Sequence, residues 1–182
     1  MASQEEYLSR IIALYNRYGV RGLSIERTAK MVGVTKRTLY NNFGTREELL
    51  ISIVNHSLSA HHDKMIEIAS HTERNAVDMQ VSFLRYLYAS VDNFSILFIE
   101  SLCENYPEVY QLLAEGTERK LKEFWAMNIP RGRSDRLYRQ DFDIDTVASF
   151  VYAGLSSCFK VRNLTPKEIN DIINFTLRGI CI

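Results

Sequence analysis

An all-α fold of about nine helices is what three features of the sequence predict. Glycine and proline are scarce, eight and three in 182 residues, which leaves too few turn formers for a protein of many short strands. Apolar residues recur every three or four positions through most of the chain, and no run of note alternates with the period of two that a half-buried strand requires. Helix-start signals punctuate the stripes: Thr45-Arg46-Glu47-Glu48 and Thr165-Pro166-Lys167-Glu168 both read as capping boxes, the second with proline at the first helical position.

Taken in order, Leu8, Ile11, Ile12, Tyr15 and Tyr18 mark a first helix that Gly19 stops. Ser24 is a good N-cap for a two-turn helix, IERTAKMV, ended by Gly33, and Thr35 caps a third, KRTLYNNF, ended by Gly44. A long fourth helix follows Thr45 to about Ser70, and a fifth carries Val77, Val81, Leu84 and Leu87. Asn93 opens a sixth, Pro107 ends it and starts a seventh to about Met127. From Ile129 to Asp143, the run IPRGRSDRLYRQDFD reads as a long irregular connection and the best candidate for mobility. Asp143 or Asp145 then caps an eighth helix, and Thr165 a ninth that runs to Gly179 and makes a hairpin with it.

Composition narrows the function. Hydrophobic residues at 46% and charged residues at 24% suit a globular core. The formal charge sums to zero, yet from Val20 to Arg46 six basic residues face Glu26 alone, whereas from residue 51 onward 14 basic residues meet 17 acidic ones. An anionic partner is therefore expected near the N-terminal third. Three cysteines (Cys103, Cys158, Cys181) without a CxxC pair, no apolar leader and no run of about 18 apolar residues point to a cytoplasmic protein with reduced thiols and no membrane span. No Gly-rich phosphate loop, GxSxG elbow or catalytic Cys/His context is present, so no enzyme and no catalytic residue is expected. His56, His61, His62 and Asp63 lack the i, i+4 spacing of a helical metal site, so neither metal nor other cofactor is expected.

The second and third helices with their tight turn form a helix-turn-helix, whose second helix fits a major groove about 12 Å wide. Ala29 is small where the helices approach, Gly33 permits the turn, Val34 plugs the gap, and Leu39 and Phe43 anchor the third helix inward. Its other face offers Lys36, Arg37, Thr38, Tyr40, Asn41 and Asn42, all donors or acceptors.

The segment LSIERTAKMVGVTKRTLYNNFGTREELL resembles the DNA-binding signature of the TetR (tetracycline-repressor) family of bacterial transcriptional regulators, over roughly residues 8 to 54. Three positions depart from the family pattern: Thr28 stands where an aliphatic residue is usual, Asn42 where His is common and Arg46 where Lys is common. The resemblance implies a DNA-binding domain at residues 1–46 and a ligand-binding and dimerisation domain at 47–182. It puts Lys36, Tyr40 and Arg46 on phosphates, with Asn42 also able to bond a phosphate oxygen. Arg37, Thr38 and Asn41 are the candidates for base edges, since Arg suits guanine, Asn suits adenine and the Thr methyl suits that of thymine.

By the same resemblance the last two helices form a dimer interface, through Val147, Val151, Gly154, Leu155, Cys158, Ile169, Ile172 and Ile173. Two recognition helices must land about 34 Å apart, so a near-palindromic operator is implied. The expected protein is a homodimeric, ligand-responsive repressor of double-stranded operator DNA. Aromatic residues of the middle helices, Phe83, Tyr86, Phe94, Phe98, Trp125 and Tyr152 with Cys103 and Met127, suggest an apolar or aromatic effector, although such residues serve cores more often than pockets. The competing expectation is a helical small-molecule binding or interaction protein whose helix-turn-helix no longer binds DNA.

Overall fold

The computed structural model describes residues 4–71, 73–90, 93–161 and 164–182, with backbone alone for 158–161. Nine helices run among the described residues: α1 (Gln4–Tyr18), α2 (Ile25–Val32), α3 (Lys36–Phe43), α4 (Arg46–Ser70), α5 (Ala76–Ser90), α6 (Ile96–Asn105), α7 (Pro107–Ser134), α8 (Ile144–Val161) and α9 (Pro166–Ile180). Among the described residues the β geometry is a single bridge between Tyr138 and Cys181. No helix of the described residues is long and apolar enough to cross a membrane.

Two compact units divide the chain, residues 1–57 with 94–114 and residues 58–93 with 115–182, so α4 and α7 each contribute to both. In the first, α1 buries Leu8, Ile11 and Tyr15, and α6 braces it. The Tyr15 ring lies 6.3 Å from that of Phe98, which stacks on Phe94 at 4.8 Å. Ser95 caps α6 by accepting from the Phe98 N–H at 3.1 Å, donates to the Asn16 carbonyl at 2.7 Å, and offers its own N–H to Asn16 Oδ1 at 2.9 Å. Phe94 and Phe98, read from sequence among possible effector-facing aromatics, are core of the unit that carries the helix-turn-helix.

In the second unit Phe83 stacks on Phe124 at 4.0 Å, and Trp125 and Tyr138 are fully buried. The Tyr138 hydroxyl donates to the Ala76 carbonyl at 2.7 Å, and Asn128 Nδ2 donates to the same carbonyl at 2.9 Å and to Gln80 Oε1 at 3.0 Å. Tyr138 Oη, Asn128 Nδ2 and Gln80 Oε1 are thereby paired where water is excluded, while Asn128 Oδ1 and Gln80 Nε2 are buried without a hydrogen-bond partner among the described residues.

Residues 129–143 depart from the expected irregular connection. α7 continues through Pro130 to Ser134, because proline removes one backbone donor while Ile129, fully buried beside it, holds the helix on the core. Gly132, read as a turn signal, serves a close approach: a Cβ there would stand 2.1 Å from the Tyr138 ring. The remaining connection is tied down, with Leu137 N–H donating to the Gly132 carbonyl at 2.8 Å, Arg139 N–H to Ile180 O at 2.9 Å and Ile182 N–H to Leu137 O at 3.1 Å.

Candidate nucleic-acid interface

Local chemistry builds α2 and α3. Ser24 Oγ accepts from the Arg27 N–H at 3.2 Å, and Thr35 Oγ1 accepts from the Thr38 N–H at 3.0 Å, so both N-termini are capped by their own side chains. Between them Gly33 adopts φ +85°, a left-handed cap that lets Val34 N–H reach the Ala29 carbonyl at 2.9 Å. Ala29, Leu39 and Phe43 are buried and Val34 is half-buried, so the packing residues read from sequence do bring the two helices together. Thr28, which departs from the expected aliphatic type, is also buried, its hydroxyl donating to the Ser24 carbonyl at 3.0 Å.

The opposite edge of α3 is open. Lys36, Arg37, Tyr40, Asn41 and Asn42 are exposed and Thr38 is half-exposed. Two of these side chains are engaged locally: Asn42 Nδ2 donates to the Thr38 carbonyl at 2.8 Å, and Thr38 Oγ1 lies 2.8 Å from Thr35 Oγ1. The Lys36 ammonium pairs with the Glu26 carboxylate across the two helices and sits 5.6 Å from the Tyr40 ring centroid. The hydrogen bond from Lys36 holds the Glu26 carboxyl below its ordinary range and pushes the Lys36 ammonium above its own. Glu26 was not singled out from the sequence; its spacing of ten residues from Lys36 is a tertiary relation that no helical period carries.

Arg46 departs from its expected place on phosphate. Its guanidinium turns inward, donating to the carbonyls of Val20 and, at 2.6 Å, of Leu23, because the α1–α2 connection ends in buried backbone that α1 leaves without partners. Its Nε is buried. The other signal of that segment holds: Thr45 N–H donates to Glu48 Oε2 at 2.6 Å and Glu48 N–H to Thr45 Oγ1 at 3.2 Å, a complete capping box.

The expected dimer residues divide. Val151, Leu155 and Ile173 are buried inside the second unit, so they have no surface to offer a second copy. Val147, Ile169 and Ile172 are half-buried and Gly154 is exposed, with nothing within 4 Å of a Cβ built on it. The Cys158 side chain lies outside the described residues. Among the described side chains, the large apolar groups that these helices expose are Phe150, 69% exposed, and Phe175, 71% exposed. Phe150 is not among the residues the sequence matched to a partner, because periodicity alone does not say which side of so apolar a helix meets the core.

Of the histidines, His61 is buried and its Nδ1 lies 2.9 Å from the Tyr86 hydroxyl; burial lowers its pKa to about 4. Among the described residues no three His, Cys, Asp or Glu side chains are arranged to hold a metal ion.

Residues 8–53, which span α1 to α3 and the start of α4, match the model of the bacterial regulatory proteins of the tetR family. No curated protein matches the chain. Among solved structures, a putative TetR-family transcriptional regulator from a Rhodococcus species superposes with a TM-score of 0.77 at 18% identity, over 97% of each chain. A putative TetR-family transcriptional regulator from Mesorhizobium loti gives 0.75 at 18% identity, over 97% of this chain and 93% of that one. FadR from Bacillus subtilis, a transcriptional regulator in complex with stearoyl-CoA, gives 0.75 at 16% identity, over 98% of this chain and all of that one. At such identities the likeness concerns the fold, and the match across the helix-turn-helix makes residues 8–53 similar to the tetR family of bacterial regulatory proteins.

Proposed function

We propose that this protein is a ligand-responsive transcriptional regulator, a repressor that binds a near-palindromic operator as a homodimer in the cytoplasm. The carrying observation is the polar edge of α3, exposed from Lys36 to Asn42 while Leu39 and Phe43 anchor the other side. Arg37 and Asn41 carry base readout, since their planar donor groups match guanine and adenine edges. Tyr40 and Lys36 lie on the same edge for the phosphate backbone, and Thr38 offers its methyl to thymine. Arg46 in this reading supports the surface from within.

Residues 1–46 bind DNA and 47–182 bind effector and partner. The homodimer forms through the exposed sides of α8 and α9, where Phe150 and Phe175 stand out with Val147, Gly154, Ile169 and Ile172. A two-fold contact of this kind is isologous, so each protomer offers the same two phenylalanines to its mate. The effector is an apolar or aromatic small molecule taken up in the C-terminal domain. FadR, which shares the fold, was solved with stearoyl-CoA, whose acyl chain is apolar although its coenzyme A portion is polyanionic. α4, which belongs to both compact units, is the covalent path for coupling, and a coupling of about 1 to 3 kcal/mol suffices for a five- to 150-fold switch.

Selection of bound sequences from random duplex DNA by the purified full chain, followed by titration across salt, tests this reading. A two-fold-related half-site pair and an affinity falling with a slope of about −0.9 per phosphate contact support it. No enriched sequence together with a flat salt response favours a helical small-molecule binding protein that has lost DNA affinity.

A further inference from the structure

Glu26 is the one acidic residue between Val20 and Arg46, and it lies on the surface that the proposed function turns toward a polyanion. A lone carboxylate there carries an electrostatic cost against phosphate unless something offsets it. The offset is present: Glu26, in the first turn of α2, reaches the ammonium of Lys36, the first residue of α3. Both side chains stay open to solvent, 58% exposed for Glu26 and 47% for Lys36. The pair therefore spans the entrances of both helices of the motif. Helix-turn-helix proteins bring the N-terminal residues of the second helix to base edges.

The chemistry of the two groups is complementary to one kind of base pair. A carboxylate only accepts, and the guanine-paired base offers it a donor, the N4 amino group of cytosine; an ammonium only donates, and guanine offers it O6 and N7. In a G·C pair O6 and N4 are neighbours on the major-groove edge, as the ammonium and carboxylate are neighbours here. We propose that Glu26 and Lys36 act as one specificity-determining unit that reads a single G·C pair in each half-site, Lys36 donating to guanine and Glu26 accepting from cytosine. This rests on the DNA-binding reading above and adds to it a residue on α2. It also moves Lys36 from the backbone to the bases.

A bare dipole role for Glu26 at the start of α2 predicts no sequence effect, and a phosphate role for Lys36 predicts a uniform one. The measurement is the sequence preference of the full chain and of the variants Glu26→Gln, Glu26→Ala and Lys36→Met. Each is selected against random duplex and then titrated by fluorescence anisotropy at one salt concentration, the wild-type chain also across salt, with circular dichroism to verify folding.

The expected result is that Glu26→Ala and Lys36→Met both relax the same base pair, with discrimination there falling about tenfold or more. Glu26→Gln should move that position toward A·T, because an amide pairs with adenine N6 and N7. If Glu26→Ala instead tightens binding to all duplexes alike with an unchanged preference, the carboxylate merely repels phosphate and the proposal is overturned. Relaxation at two different base pairs overturns it as well. A wild-type chain that enriches no sequence and responds flatly to salt overturns the underlying DNA-binding reading, an outcome distinct from either.

Discussion

Arg46 donates to the carbonyl oxygen of Leu23 at 2.6 Å and, with the same nitrogen, to that of Val20, so the first residue of α4 clamps the segment that feeds α2. A basic residue at this point invites a phosphate role, yet its charge is spent on buried backbone. Replacing it with methionine keeps an unbranched apolar stem, removes the guanidinium and strands two carbonyls whose residues are fully buried. The expected loss of unfolding free energy is about 1 to 3 kcal/mol, measured by urea denaturation. Under native conditions the salt slope of duplex binding should stay unchanged, whereas loss of a phosphate contact would flatten it by about one.

Gly33 separates backbone cost from packing cost. Its φ is +85°, and a Cβ built there meets nothing within 4 Å. Gly33→Ala should therefore destabilise the chain through left-handed strain alone, by about 1 to 2 kcal/mol, and Gly33→Asn by less, since Asn tolerates that region. Thermal unfolding of the two variants side by side checks the order; an alanine variant as stable as wild type would contradict it.

Gly132 presents the opposite case. A Cβ would come within 2.2 Å of two atoms of the Tyr138 ring and 3.0 Å from Ala76 Cβ, and that ring is pinned by its hydroxyl on the Ala76 carbonyl. Gly132→Ala should cost about 1 to 3 kcal/mol by overpacking. Pairing it with Tyr138→Leu should recover part of the loss, giving a non-additive cycle in chemical denaturation.

His61 makes stability depend on pH in a stated direction. Its folded pKa of about 4 lies below the ordinary histidine value of 6.5, so between those values the unfolded chain binds the extra proton and acid favours unfolding. Stability from this residue is fully present above about pH 6.5 and drains as pH falls toward 4. Between pH 7 and pH 5 the loss is about 2 kcal/mol, read from denaturation midpoints. His61→Gln, which cannot titrate, should remove that part of the slope.

Most of the helix-turn-helix was legible because its determinants are local. Ser24, Gly33 and Thr35 act on backbone within four residues of themselves, and Leu39 and Phe43 repeat at the spacing of one helical face. What sequence did not disclose is set by partners distant in the chain. Arg46 reads as a surface cation until the carbonyls 23 and 26 residues earlier are brought beneath it. Pro130 reads as a stop until Ile129 is buried. In α8 the residues Val147, Phe150, Val151 and Leu155 cover too wide an arc for periodicity to choose the inward side, so Val151 and Leu155 were matched to a partner when the chain's own core holds them.

The same ambiguity yields the last prediction. Among the described side chains of α8 and α9, Phe150 and Phe175 are the large apolar groups left in water, at 69% and 71% exposure, and burying a phenylalanine is worth about 1.5 to 3 kcal/mol. In a two-fold dimer each substitution acts twice, because both protomers carry it. Phe150→Asp and Phe175→Asp should therefore shift the chain toward monomer by far more than tenfold in dissociation constant, measured by sedimentation velocity across protein concentration. Val151→Asp, which puts charge into the core of the second unit, should instead unfold that unit, visible as lost helicity. A chain whose two Phe→Asp variants sediment as wild type would contradict a dimer contact through these phenylalanines.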